Sequence, residues 1–484
     1  MNQSNLKNKA TTGILWAAMQ KYSSMIIQFI AGIILARLLT PYDYGCIGML
    51  TIFVIIAECF IEGGLGTALI QKKRPTQEDY STIFFWNLGM AFIFYAILFF
   101  TAPLIAQFYK TPILCNVLRV QGIVLFIYAF NLVQRNQLQK QLNFKVLSIA
   151  TVTTSLVSLG ITIYMAYSGY GVWALVAQNI STAVIQAIFF WLFIKWRPTL
   201  HFSWKSFREL FSFGFYMLLT DILNTLGKQI QALLIGRVYN PSIMGIYSKA
   251  ASTEHLASSS ISQIMQQVTF PLYSEVQDDL KRLSNIVRQL GMAVSYITFP
   301  LLFILMLCAK PIFVFLYSDR WIDCVPYFQV LCFSGLAYCM QSVNHQSISA
   351  IGKSRLLFIW TFVKRVVGIM FVIGGLMIAG MKGLLVGMVL NTWFSYAVNI
   401  ALVSKYVGYK WWKQLYDIMP VMIVSFGAMV ISYYVVSFFH IGLYLDGILK
   451  GILYIVIYIG WTIIFRPEAS LNIETIIQSI INKK

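Results

Sequence analysis

The sequence predicts an all-α, polytopic membrane protein of about fourteen transmembrane helices, arranged as two six-helix pseudo-symmetric lobes plus two C-terminal helices. Three observations predict it. Hydrophobic residues make up 58% of the 484 residues and charged residues only 11%, too little charge to cover a soluble surface of that size. Apolar runs of about 20 residues, the length that crosses a hydrocarbon core, recur along the whole chain between Pro, Gly and charged breaks. A stretch near residue 40 returns about 200 residues later, as a duplicated architecture requires. Ten-residue segments of strict alternation are absent, so the backbone satisfies itself in helices rather than in a barrel.

In chain order the expected spans are 13–36, 43–68, 81–107, 112–135, 146–167, 171–194, 209–236, 242–270, 286–316, 324–350, 356–379, 383–404, 415–438 and 446–466. Residues 1–12 are polar, and the run after them is too long for a signal-peptide core, so no cleavable signal is expected. With the N-terminus inside, the inner segments hold twenty-three Lys and Arg and the outer segments seven, loop after loop. That bias places both termini in the cytoplasm. It also accounts for the net charge of +19 without a nucleic-acid partner. The longest inner connection in the middle, 195–208, separates six spans from the next six. The expected domains are therefore 1–200, 201–410 and 411–484, the last being two extra helices and a tail. A second echo, Ser168–Val176 against Ala379–Gly387, opens the sixth and twelfth spans. A six-span unit repeated in tandem gives parallel repeats about an axis normal to the membrane. Residues 470–482 read as a short amphipathic helix on the inner surface.

The main repeat pairs 34–45 with 234–245. Arg37 matches Arg237, Pro41 matches Pro241 and Gly45 matches Gly245. Its reading is a helix end, a turn and a new helix. Arg faces the negative end of the helix dipole, Pro is pre-set for a first helical turn, and Gly allows close approach. The stretch ARLLTPYDYGCIGMLTIF at 36–53, followed by EGGLGTALIQKK at 62–73, resembles the N-terminal signature of Wzx-type polysaccharide flippases. These belong to the multidrug/oligosaccharidyl-lipid/polysaccharide exporter superfamily, and the similarity is greatest to the branch of colanic-acid and teichuronic-acid exporters. The resemblance is strongest over about the first 80 residues. It implies a transporter of the bacterial inner membrane that moves undecaprenyl-diphosphate-linked oligosaccharide outward by rocking of two lobes.

Charge inside the spans is where function is expected. Apart from the charges that belong to the loops and their flanks, six basic residues lie there: Lys21, Arg119, Lys228, Lys249, Lys364 and Arg365. Four acids join them on the same terms: Glu58, Glu62, Asp221 and Glu254. Each would cost about 2.5–3.5 kcal/mol facing lipid at a helix centre, so each is expected to face a cavity or a partner. Lys21 shares a helical face with Gln20, Ser24 and Gln28. Asp221, Asn224 or Thr225, Lys228 and Gln231 repeat that pattern, and Lys249 heads a Ser/Thr-rich face in the eighth span. Lys21, Lys228, Lys249, Gln28 and Asn224 are therefore the candidate substrate contacts in a wet cavity between lobes, with Arg119 near its rim. Glu58, Glu62, Asp221 and Glu254 are the candidate ion-coupling groups. Lys364 and Arg365 are equally compatible with snorkelling to the cytoplasmic surface.

Enzyme chemistry finds no footing. Gly352-Lys353-Ser354 lacks the earlier glycine of a phosphate loop, since position 347 is Ser. No ATP site, metal or cofactor is expected, which leaves an ion gradient or the lipid gradient as the drive. The seven cysteines form no C-x-x-C pair and read as small buried residues. The expected partners are the lipid-linked oligosaccharide and membrane lipids, with a polysaccharide polymerase as a further candidate contact. The competing readings are a drug/cation antiporter of the same superfamily, which would favour acids and aromatics in its cavity, and a membrane polysaccharide polymerase or acyltransferase, which would need a large outer loop.

The orientation is testable. In a background without the native cysteines, a Cys placed next to Lys72 or Lys281 is expected to resist an impermeant thiol reagent in intact cells. Labelling of either position from outside would overturn the topology.

Overall fold

The computed structural model describes residues 3–141, 143–465 and 467; the expected surface helix at 470–482 lies outside them. The described chain is helical throughout. The helices are α1 (Gln3–Leu38), α2 (Pro41–Glu62), α3 (Leu65–Gln71), α4 (Gln77–Phe108), α5 (Ile113–Gln121), α6 (Val124–Lys140), α7 (Phe144–Tyr167) and α8 (Val172–Phe193). They continue as α9 (Trp204–Val238), α10 (Pro241–Glu275), α11 (Leu280–Leu307), α12 (Ala309–Tyr317), α13 (Cys324–Ala350), α14 (Ser354–Tyr406), α15 (Trp411–Ser437) and α16 (Leu443–Phe465).

Ten helices or continuous helix pairs are long and apolar enough to span a membrane, and α9, which is bent, makes an eleventh. The expected spans fall on helices in every case, with informative differences. The second span breaks at Gly63 and Gly64, both at positive φ, into α2 and α3. α14 is counted as one long helix but turns back on itself at Ala379–Gly380, where Gly380 has φ 56°. Across that turn a Cβ on Gly375 would collide with the Gly383 carbonyl oxygen, and one on Gly383 with that of Gly375. The eleventh and twelfth expected spans are thus the two arms of a helical hairpin closed on glycine. α10 and α13 are long enough but less apolar than the rest. In α13 the reason is visible, since Ser342, Asn344 and Ser347 are buried against neighbouring helices rather than turned to lipid.

Local sequence sets the helix starts. Thr40 and Asp43 form a reciprocal capping box at α2, with the Thr40 amide donating to Asp43 Oδ2 at 2.9 Å and the Asp43 amide to Thr40 Oγ1 at 3.4 Å. Thr76 and Asp79 repeat it at α4. Each box satisfies two amides that hydrocarbon could not. The Lys140 ammonium closes the other end of α3, donating to the carbonyls of Leu69 and Ile70 at 2.9 Å each and to that of Lys72. Lys72 in turn bridges Asp79 and Glu209, at 3.1 Å to each. Burial pulls the Lys72 ammonium down, but its hydrogen bonds to Asp79 and Glu209 outweigh this and hold its pKa above the usual lysine value.

The chain forms two compact units, Met1–Ser248 and Lys249–Lys484. This division by contact neither draws nor removes the lobe boundaries expected at 200 and 410. In the first unit α9 packs on α2, α3 and α4, and the repeat meets itself there. α1 ends at Leu38 and α9 at Val238; α2 starts at Pro41 and α10 at Pro241. A Cβ on Gly45 would strike the Pro241 carbonyl oxygen, and one on Gly245 would strike that of Pro41. The contact is reciprocal, residue for residue, which is the signature of a two-fold relation. The two duplicated corners therefore lie on the same side of the fold. In the second unit Arg288 forks onto Asp417 at 2.7 and 3.2 Å, and the Tyr409 hydroxyl donates to the same carboxylate at 2.6 Å, tying α11 to α15.

The glycine contact predicts a contrast. Gly45→Ala forces backbones apart and is expected to lower the thermal midpoint in detergent by several degrees, in keeping with about 1–3 kcal/mol for overpacking. Gly89→Ala, where nothing lies within 4 Å of the added methyl, is expected to leave it unchanged or raise it. Equal midpoints for the two variants would refute the tight corner.

Candidate functional site

A cavity of about 550 Å3 opens inside the first unit. α8 contributes Gln178, Thr182 and Gln186, spaced i, i+4, i+8 so that they form one stripe, with Asn179 beside them. α2 contributes Thr51 and Glu58, two turns apart, and α7 contributes Ser155 and Ser158. Gln28 enters from α1 and Gln121 from the end of α5. The apolar lining is aliphatic, and Glu58 is the one charged residue among the lining residues. Gln121 is 5% exposed, and its amide oxygen has no hydrogen-bond partner within the protein.

Glu58 lies at the edge of a denser polar cluster. One turn on, Glu62 accepts a hydrogen bond from the Tyr128 hydroxyl at 3.0 Å, and its other oxygen lies over Gly66 beside the Asn136 amide. Arg135, the last residue of the fourth expected span, attracts the Glu58 carboxylate. Cys59 Sγ meets Thr225 Oγ1 at 3.5 Å, pinning α2 to α9. That pin brings Asp221 within electrostatic reach of Cys59, together with Glu58 and Glu62. Lys228 acts on Asp221 from two turns away. Three of the four candidate acids thus gather on neighbouring faces of α2 and α9.

The candidate cations are dispersed. Lys21 is half-buried on α1 and Lys228 exposed on α9, with Asn224 half-buried on the same helix. Gln20, next to Lys21, donates to Thr151 Oγ1 at 3.0 Å. Arg119 donates to the Phe99 carbonyl at 3.3 Å and lies 4.4 Å over the Phe99 ring, clamping α5 to α4. Of the candidate substrate contacts, Gln28 is the one that lines the first-unit cavity.

In the second unit Lys249 is 5% exposed, with its ammonium 4.1 Å over the Tyr317 ring and 5.8 Å over Trp321. Burial against aromatic faces offsets part of the lost hydration. Glu254 lies against Gly335, and one of its oxygens is buried without a hydrogen-bond partner. Lys364 does not snorkel. It is 7% exposed and donates at 3.1 Å to Asn399 Oδ1 on the other arm of the α14 hairpin. Arg365 and His345 are close enough to repel it. The Lys364 ammonium is thus paired with an amide, with two further basic groups near it. The amide stripe of α8 and the Lys364–Asn399 pair went unread in the sequence. Its signal was there in part, in the i, i+4, i+8 spacing of Gln178, Thr182 and Gln186.

The chain is similar to known proteins in sequence and in fold. Residues 34–326 match the family model described as polysaccharide biosynthesis protein. The teichuronic acid biosynthesis protein TuaB of Bacillus subtilis is 26% identical over 361 residues, 74% of each chain. The lipopolysaccharide biosynthesis protein WzxC of Escherichia coli is 24% identical over 434 residues, 87% of this chain and 88% of its own. Among solved structures, the lipid II flippase MurJ in an inward closed conformation superposes with a TM-score of 0.70 at 16% identity, covering 94% of this chain and 99% of that one. The match over more than half of its length, running through the duplicated corners and onto an all-helical frame, makes this chain a member of the polysaccharide biosynthesis protein family.

Proposed function

We propose that this multi-pass membrane protein is a flippase. It carries an undecaprenyl-diphosphate-linked oligosaccharide from the inner to the outer leaflet of the bacterial cytoplasmic membrane, for assembly of a surface polysaccharide. Relatives named for teichuronic acid and lipopolysaccharide biosynthesis support the substrate class, and the likeness to MurJ supports the frame. The observation that carries the reading is the set of cations at membrane depth, above all Lys364, whose ammonium is held by an amide rather than neutralised by a carboxylate. A buried lysine so placed is ready for an anionic guest, because a passing phosphate supplies the missing counter-charge.

In this reading the protein is a transporter rather than a catalyst. Lys21, Lys228 and Lys249 meet the diphosphate in turn, Arg119 stands near the rim, and the lipid tail stays in the bilayer. The two duplicated lobes, 1–200 and 201–410, rock about their shared axis, with both termini cytoplasmic and 411–484 as an addition. Glu58, Glu62, Asp221 and Glu254 bind and release the coupling ion, and no ATP or other cofactor takes part. A polysaccharide polymerase receives the exported unit.

A phosphate contact from a charged donor contributes about 1.5–3 kcal/mol, so removing one is expected to cut flux roughly ten- to a hundredfold. Lys21→Gln, Lys228→Gln and Lys249→Gln are expected to lower glycan export at unchanged protein level, with Lys→Arg retaining more. Asp221→Asn, measured in parallel, separates loss of a phosphate contact from loss of the Asp221–Lys228 attraction. The assay is lectin-accessible glycan in proteoliposomes loaded with undecaprenyl-diphosphate oligosaccharide. Wild-type flux from all three Lys→Gln variants would remove the anion contacts from this account, and no glycan translocation by the wild type would remove the function.

A further inference from the structure

We infer that the first-unit cavity is a sugar subsite, which binds a pyranose residue of the transported glycan by hydrogen bonds to its hydroxyls. The inference rests on the flippase reading and adds a place and a chemistry for the glycan. The cavity, at about 550 Å3, lies within the roughly 300–1,000 Å3 of small-molecule sites. Its polar lining is dominated by primary amides, Gln28, Gln121, Gln178, Asn179 and Gln186, with Thr182 and two serines among them. An amide offers a donor pair and an acceptor, and a sugar hydroxyl is both donor and acceptor, so the two inventories match.

The lining also says what the cavity does not take. Among the described lining residues there is no Lys or Arg to pair with a diphosphate and no aromatic ring on which a planar cation could stack. Gln121 supplies an independent sign of a guest. Its buried amide oxygen has no hydrogen-bond partner within the protein, and an acceptor left unpaired costs about 1–3 kcal/mol, which a ligand hydroxyl would recover. Glu58 adds a strong acceptor for a hydroxyl at the cavity wall. The anionic part of the substrate therefore belongs with the lysines and the sugar part with the amides.

The test is binding to purified protein by native mass spectrometry, with three probes. These are bare undecaprenyl diphosphate, the undecaprenyl-diphosphate-linked glycan that accumulates in cells lacking this exporter, and the glycan released from it by mild acid. The wild type is expected to prefer the glycosylated carrier over the bare one by at least tenfold, and to bind the released glycan weakly. Gln178→Leu with Gln186→Leu is expected to abolish that preference while leaving affinity for the bare carrier within twofold. Thr182→Val, a smaller change, is expected to lower the preference about three- to tenfold, and it decides the matter if the double variant fails to fold. An unchanged preference in a folded variant would overturn the subsite, as would a wild type that binds both carriers equally. A wild type that binds neither carrier would instead sink the flippase reading itself.

Discussion

In hydrocarbon a polar group has no water to fall back on, and every feature of this molecule answers to that constraint. Backbone amides are closed within helices, and at several helix ends side chains finish the task. The boxes at Thr40–Asp43 and Thr76–Asp79 satisfy helix starts, and Lys140 takes the last carbonyls of α3. The same constraint forces polar side chains inward, which is why the less apolar α13 is also a helix whose serines and asparagine are buried. A charge that survives at such depth has to be held by something: the aromatic faces around Lys249, the Asn399 amide at Lys364, or the Tyr128 hydroxyl at Glu62.

Glycine does a different service in the same setting. Without a hydrophobic force between helices in lipid, close packing has to hold them together. The corners at Gly45 and Gly245 reach backbone-to-backbone contact, and they do so reciprocally. The α14 hairpin uses the device again at Gly375 and Gly383. A duplicated unit that meets its own copy through glycines gains a self-complementary surface with no loss of polar satisfaction.

Much of this was legible in the chain before folding. The spans were readable because their period and length are dictated by the bilayer, and the corner was readable because Arg37, Pro41 and Gly45 recur at a fixed offset. The break at Gly63–Gly64 was not, since two glycines in an apolar run look like packing residues until their φ values turn positive. The intramembrane acids stand out in the sequence by their depth in the spans, but the gathering of Glu58, Glu62 and Asp221 depends on the Cys59–Thr225 contact between helices 166 positions apart, which no local pattern encodes. The lysines were singled out as charges, and charge is easy to see. Of the cavity amides Gln28 was singled out, while Gln121, Gln178, Asn179 and Gln186 were passed over, because Gln and Asn in a helix read equally well as glue between helices.

That asymmetry follows from the physics of the two kinds of contact. A cation inside a membrane is expensive alone and valuable with a phosphate, so a few of them are enough to define a class of anionic lipid carrier. An amide–hydroxyl bond contributes only about 1 kcal/mol net, so discrimination among sugars needs several at once, set in a fixed geometry. The stripe Gln178, Thr182 and Gln186, with Gln28, Gln121 and Glu58 converging on it from other helices, has that distributed form. Class and specificity are then carried by different side chains. On the proposed reading the cations would hold whatever bears a diphosphate, and the amides would set which glycan is accepted.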